Sequence, residues 1–239
     1  MRTDQSGPTP PPGGVELGIA HRVTNDLRER IVEGLLRPGA PLREDALTAE
    51  FGVSRNTLRE SIRLLAAEGL VVQRLHKGAV VAVVGESDVR DIFTVRRAIE
   101  LRAVDESSFA TREMLRSIDA AASATETAFQ AGDWQKAGTC SLRFHQSIVE
   151  LLGSDRLNDF FRTMVAQLRL AYSLALVEAD FHAEWVPRDR EICDLLVSGR
   201  RSEASSALKI YLEDSERHVL DVVRASVVRD RGLSPLSSA

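Results

Sequence analysis

Residues 42–69 read LREDALTAEFGVSRNTLRESIRLLAAEG, and this stretch restricts the chain more than any other. It predicts two short helices joined by a tight turn at Gly52, Val53 and Ser54. Leu58, Ile62 and Leu65 recur at i, i+4 and i+7, which gives the second helix one apolar face. Ser54 stands where an N-cap belongs. The first turns after it are expected to expose Arg55, Asn56, Thr57 and Arg59. Such side chains suit phosphates and base edges, at the end of a helix that can enter a major groove. The pattern predicts a helix-turn-helix.

The flanking sequence extends this unit. A first helix is expected from about Gly18 to Leu36, with Val23, Leu27, Ile31 and Leu35 as its buried stripe and the Pro/Gly run from Arg37 to Pro41 ending it. Leu70–Leu75 and Ala79–Val84 are apolar runs around His76, Lys77 and Gly78, and they predict a hairpin with Gly78 at positive φ. A helix-turn-helix followed by a basic-tipped hairpin is a winged helix. Gly85, Glu86 and Ser87 are expected to form a hinge, after which the pattern is all-helical. Ser87 or Asp88 is expected to cap a helix reaching about Ala110. Further helices are expected over Met114–Ala131, Trp134–Leu152, Arg156–Val177, Pro187–Val197 and Ser202–Val228, each bounded by Gly, Pro or capping residues. The fold class is therefore mainly α: an N-terminal winged helix-turn-helix with a small β-hairpin wing and a C-terminal all-helical bundle. Residues 1–14 are expected to be a disordered tail, 15–85 the winged domain, 86–229 the helical domain and 230–239 a flexible tail.

Composition narrows the class. Hydrophobic residues at 44% and charged residues at 28% are ordinary for a soluble globular protein. No apolar run approaches a bilayer span, and MRTDQSGPTPPPGG lacks the apolar core of a secretory signal. Two cysteines, Cys140 and Cys193, fit a reducing compartment and offer no disulfide framework, so a cytoplasmic protein is expected. Residues 1–85 carry 11 Lys/Arg against 10 Asp/Glu, whereas residues 86–239 carry 20 against 25. Any DNA contact is therefore local to the N-terminal part, although an asymmetry of this size also arises by chance. No metalloprotease H-E-x-x-H, phosphate-binding Gly-rich loop, nucleophile elbow or Cys–His constellation occurs, so no enzyme is expected. The alternatives are a metabolite-processing enzyme with a DNA-binding-like head, or a winged helix used for protein contacts.

The stretch PGAPLREDALTAEFGVSRNTLRESIRLLAAEGLVVQRLHKGAVV resembles the winged-helix domain of GntR-type bacterial transcription regulators. The pieces PG, L-x-E-x-x-L, FGVSR-x-T-x-RE, LL-x-x-EGLV and the late wing glycine fall in register. VRRAIELRAV, RFHQSIVELLGSDRL and GRRSEASSALKIYL resemble the C-terminal FCD domain of the FadR branch. Together the two matches cover about residues 15–225. The resemblance implies a homodimeric repressor on a short inverted repeat of double-stranded DNA, with no membrane partner. It also implies a small carboxylate effector in the helical domain.

Carried onto this sequence, the DNA-contacting residues are Ser54, Arg55, Asn56, Thr57 and Arg59, with His76, Lys77 and Gly78 at the wing tip and Arg43 before the second helix. Arg is the usual reader of guanine O6 and N7, while hydroxyls and helix N-terminal N–H groups suit phosphate. Asp45 departs from the basic residue that many relatives carry there, and an acidic group repels phosphate.

Many FCD domains hold a divalent metal with one Asp and three His. The corresponding positions here are Ser141, His145, Asp189 and Tyr211. Two strong ligands, His145 and Asp189, are a poor remnant of a metal site, so no metal cofactor is expected. A metal-dependent sensor of the same architecture is the alternative. Cys140 is a stray candidate ligand whose helical phase points about 100° from Ser141. The four positions are instead expected to line a ligand pocket, with Arg97 and Arg169 as candidates to neutralise a carboxylate. The plainer alternatives are a surface ion pair between Arg97 and Glu100, a solvated Arg169, and packing roles for His145 and Tyr211.

Overall fold

The protein is described by a computed structural model that covers residues 12–75, 78–175 and 178–232. Helix α1 (Pro12–Val32) starts six residues earlier than expected, on a proline whose fixed φ suits a helix's first turn. Pro12, Gly13 and Gly14 are therefore helical, and the rest of the expected disordered tail lies outside the described residues. Val23, Leu27 and Ile31 are buried as the periodicity requires. Leu35 is not: it is 64% exposed, because the chain leaves the helix at Gly34 with φ +74° and the stripe's phase is lost.

Helices α2 (Glu44–Phe51) and α3 (Arg55–Ala67) meet at Gly52, which takes φ +62° and donates its N–H to the Thr48 carbonyl. Leu58, Ile62 and Leu65 bury one face of α3, and α3 packs on α1. Each such side chain contributes about 1.5–3 kcal/mol when fully buried. Strands β1 (Val71–Arg74) and β2 (Gly78–Val81) form an antiparallel hairpin in register Val71↔Val81 and Arg74↔Gly78. Both are shorter than expected. Gly78 has φ +69°, and the loop before α2 adds a backbone bond from Leu42 N–H to the Ala79 carbonyl at 2.9 Å.

Helix α4 (Glu86–Glu106) opens at Gly85, not at a Ser87 or Asp88 cap. Asp88 reaches back from the third position and accepts the Gly85 N–H at 2.8 Å. Helices α5 (Arg112–Gln130) and α6 (Trp134–Val149) begin at Thr111 and Asp133, whose side chains accept N–H groups of the first turn. A 3₁₀ turn follows α6 and ends at Gly153 with φ +60°. Helix α7 (Asp155–Tyr172) stops five residues short of Val177, and a short α8 (Glu178–Ala183) was not foreseen. Helices α9 (Trp185–Val197) and α10 (Arg201–Gly232) complete the chain. The flexible tail expected from residue 230 is helical up to Gly232, and 233–239 lie outside the described residues. Helix α6 is central, touching α4, α5, α7, α8 and α9. Among the described residues, no helix is long and apolar enough to cross a membrane.

Candidate nucleic-acid interface and buried polar cluster

Ser54 caps α3, its Oγ accepting the Thr57 N–H at 3.1 Å and lying 2.8 Å from Thr57 Oγ1. Thr57 is thereby buried, so the expectation that it is exposed fails: its hydroxyl closes the cap. Arg55, Asn56 and Arg59 are exposed on one side of the helix, and Arg63 extends the row. Arg55 and Arg59 are each held by an acidic residue from the first turn of α2. Arg55 Nη2 donates to Asp45 Oδ1 at 3.0 Å, and Arg59 Nε donates to Glu44 Oε2 at 3.0 Å. Arg43 is exposed just before α2. In the wing, Gly78 is exposed opposite Arg74, a cation the sequence reasoning missed. His76 and Lys77 lie outside the described residues.

The helical domain encloses a second set of polar groups. The structure brings Ser141 and His145 of α6, Asp189 of α9 and Tyr211 of α10 together, all buried. The arginine that joins them is Arg96, not Arg97. Arg96 Nε donates to Glu100 Oε1 at 2.6 Å, and Glu100 Oε2 lies 2.6 Å from His145 Nδ1. On its other side His145 Nε2 is 3.5 Å from Asp189 Oδ1, beyond normal hydrogen-bond length. The Tyr211 ring sits 4.8 Å from the His145 ring, and its hydroxyl is within reach of Ser141. Tyr172 of α7 closes the group.

Burial opposes every charge here, and neighbours decide the outcome. It disfavours the Glu100 carboxylate, but Arg96 and His145 more than offset it and hold the pKa below the ordinary value. Burial likewise lowers the His145 pKa, while Glu100 and Asp189 outweigh it and Arg96 opposes them; the net shift is upward. Burial, with Asp189 next, pushes the Tyr211 hydroxyl well above its ordinary value. Five buried atoms keep no hydrogen-bond partner: Arg96 Nη1 and Nη2, His145 Nε2, and both oxygens of Asp189. Leaving such groups unsatisfied costs about 1–3 kcal/mol apiece, more for charges. The donors fit a divalent metal poorly. His145 Nε2 and Asp189 are the only strong ligands among the four inherited positions, Ser141 and Tyr211 are neutral, and a guanidinium stands beside them. Cys140 lies elsewhere, lining a groove with Leu35, Thr139 and Arg143.

Residues 19–81 match the family of bacterial regulatory proteins described as the gntR family, and residues 91–214 match the FCD domain. The chain belongs to the GntR family. Its fold superposes on a solved transcriptional regulator GntR from a Rhodococcus species with a TM-score of 0.78 and 31% identity, covering 84% of this chain and 97% of that one. It is 28% identical to the "Probable D-xylose utilization operon transcriptional repressor" of Paenarthrobacter nicotinovorans, over 80% of this chain and 84% of that one. It is 42% identical to the gluconate operon transcriptional repressor of Bacillus licheniformis over 80 residues, a match spanning only 33% of this chain and 32% of that protein. This GntR protein is a transcription regulator, not an enzyme.

The two remaining sequence candidates sit outside the regulator's cluster. Arg97 pairs across to Glu216 of α10 at 2.5 Å, not with Glu100. Arg169 is buried rather than solvated. It donates to Ser173 Oγ at 2.9 Å and packs against Gly34 at the end of the winged domain. Further side chains of α6 and α7 grip that domain's backbone. Gln135 donates to the Glu33 carbonyl at 2.6 Å, Thr139 to the Val32 carbonyl at 2.8 Å, and Gln167 to the Glu68 carbonyl at 2.7 Å. Sequence phase could have found the missed pair: Val89, Phe93, Arg96, Glu100 and Val104 form one buried stripe of α4, and Arg97 falls off it.

Proposed function

We propose that this regulator represses transcription as a homodimer on an inverted-repeat operator, and that a small carboxylate in the buried cluster sets its operator affinity without a metal. The observation that carries this is Arg96. Its two terminal nitrogens point into the cluster without partners, in the fork arrangement that receives a carboxylate. Ser141, Tyr172 and Tyr211 supply hydroxyl groups around it. Glu100 fixes the Arg96 and His145 side chains from behind. The repressor role is supported by the names of the D-xylose and gluconate operon relatives.

The space beside Arg96 and His145, walled by Phe161, Met164, Val165 and Leu168 of α7, is too small for a water molecule as it stands. A ligand enters only if α7 moves away from α4 and α6. Helix α7 carries Gln167, which holds the end of α3 through Glu68, so the same displacement re-seats the reading helix. Ligand binding and operator binding then draw on one two-state element and are reciprocally coupled.

A thermal-shift screen of small carboxylates, with divalent metal or chelator, tests this. The expected result is a rise in Tm with a carboxylate that chelator leaves unchanged, since a ligand of the folded state stabilises it. Ser141→Ala and Tyr211→Phe should weaken the shift, read against each variant's own ligand-free Tm, since each also removes one partner of a buried hydroxyl pair. A shift that needs metal and vanishes with chelator overturns the metal-free reading.

A further inference from the structure

Arg55 and Arg59 are not free cations. Asp45 and Glu44, adjacent in the first turn of α2, each hold one of them at 3.0 Å. The Arg55–Asp45 pair is the more exposed, at 68% and 85% of the side-chain surface. A pair so open to solvent adds little to folding. Its geometric effect is larger. Asp45 occupies one of the two Nη2 hydrogens of a five-donor guanidinium, so Arg55 keeps one two-donor edge for a base while losing the freedom to swing. With 85% of its side chain exposed, Asp45 leaves Oδ2 open to solvent beside Arg55. A carboxylate there repels the guanine and thymine acceptors and accepts the amino group of cytosine.

We propose that Asp45 is a specificity-determining residue of the operator contact, holding Arg55 on a guanine and itself selecting a neighbouring cytosine through its N4 amino group. This rests on the reading that the N-terminal turns of α3 face the bases. Arg55 and Asp45 act as one composite reader, with Arg55 satisfying acceptors and Asp45 satisfying a donor.

The test is selection of bound sites from randomised DNA by the full-length protein, comparing the natural chain with Asp45→Asn, Asp45→Ala and Arg55→Ala. Asparagine keeps the shape but both donates and accepts, so Asp45→Asn should lose the cytosine preference beside the Arg55 guanine by about tenfold. Asp45→Ala should also blur the guanine. Melting temperatures should not move, because both side chains are exposed. If Asp45→Asn selects the same motif with the same preferences and merely binds all DNA more tightly, Asp45 is only a surface charge and the proposal fails. If Arg55→Ala itself retains the natural motif, the placement of α3 on the bases fails instead, and that outcome is separately visible.

Discussion

Gly34 should be far less tolerant of alanine than Gly39, although the two have nearly the same backbone. Gly34 has φ +74° and Gly39 has φ +77°, so any L side chain at either position meets the left-handed penalty of about 1–2 kcal/mol. Around Gly39 a Cβ would meet nothing within 4 Å. At Gly34 it would overlap Arg169 Nη2 and come within 3.1 Å of Arg169 Cζ and Gln135 Nε2. Those atoms end long side chains, but Arg169 is 1% exposed and tied to Ser173, so it has no solvent to swing into. Overpacking of this kind adds about 1–3 kcal/mol. Gly34→Ala should therefore destabilise by about 2–5 kcal/mol in sum and Gly39→Ala by about 1–2 kcal/mol. In a chain of this size each kcal/mol lowers Tm by about 2–4 °C, so scanning calorimetry resolves the pair. Equal losses for the two variants would refute the packing of Arg169 against the winged domain.

Other measurements address the reading face and the core. Arg55→Ala should cost about 1–3 kcal/mol of operator affinity and relax one base position, whereas Arg43→Ala should weaken all sequences alike and reduce the salt slope by about 1. Thr139→Val with Gln167→Ala removes two grips on the winged domain, each worth about 0.5–1.5 kcal/mol, and should shrink the effector's influence on operator affinity in a fluorescence-anisotropy titration. Buried His145 and His182 should titrate in opposite directions by NMR. His145 should titrate above its ordinary 6.5, held there by Glu100 and Asp189 against burial. His182, pushed down to about 3 chiefly by burial with Arg169 and His218 adding, should stay neutral from pH 5 to 8. By linkage, the stability His145 adds is full below pH 6.5 and is lost as pH rises through its folded pKa, so His145→Gln should remove that part of the pH dependence. A titration of His145 below 6.5 would contradict its placement between two carboxylates.

Much of the architecture was legible because it rests on local physics. Gly52, Gly78 and Gly153 all adopt the positive φ that only glycine takes cheaply, and Ser54 caps α3 through a bond its own side chain makes. Errors arose where a local pattern met a tertiary fact. Leu35 continues a perfect stripe, yet the helix has already ended before it. Thr57 lies in the exposed first turn but spends its hydroxyl on Ser54. The α7 pattern runs on apolar residues into a region where the chain turns and makes α8. In the cluster, the spacing of the inherited positions led to Ser141, His145, Asp189 and Tyr211, which do converge. Nothing local separates Arg96 from Arg97; only the phase of the whole α4 stripe does, and a buried charge on an apolar stripe makes sense only once Glu100 and His145 are seen beside it.

The grips that α6 and α7 place on the winged domain end on the carbonyl oxygens of Val32, Glu33 and Glu68. A main-chain carbonyl is present whatever side chain the residue bears. At these three positions the joint between the helical and winged domains is nearly blind to side-chain identity; among its sequence-specific points are Gly34, against Arg169, and Glu29 and Glu33, whose carboxylates pair with Arg143. Such a joint tolerates side-chain changes at Val32, Glu33 and Glu68 while the helical domain keeps its hold on the winged one.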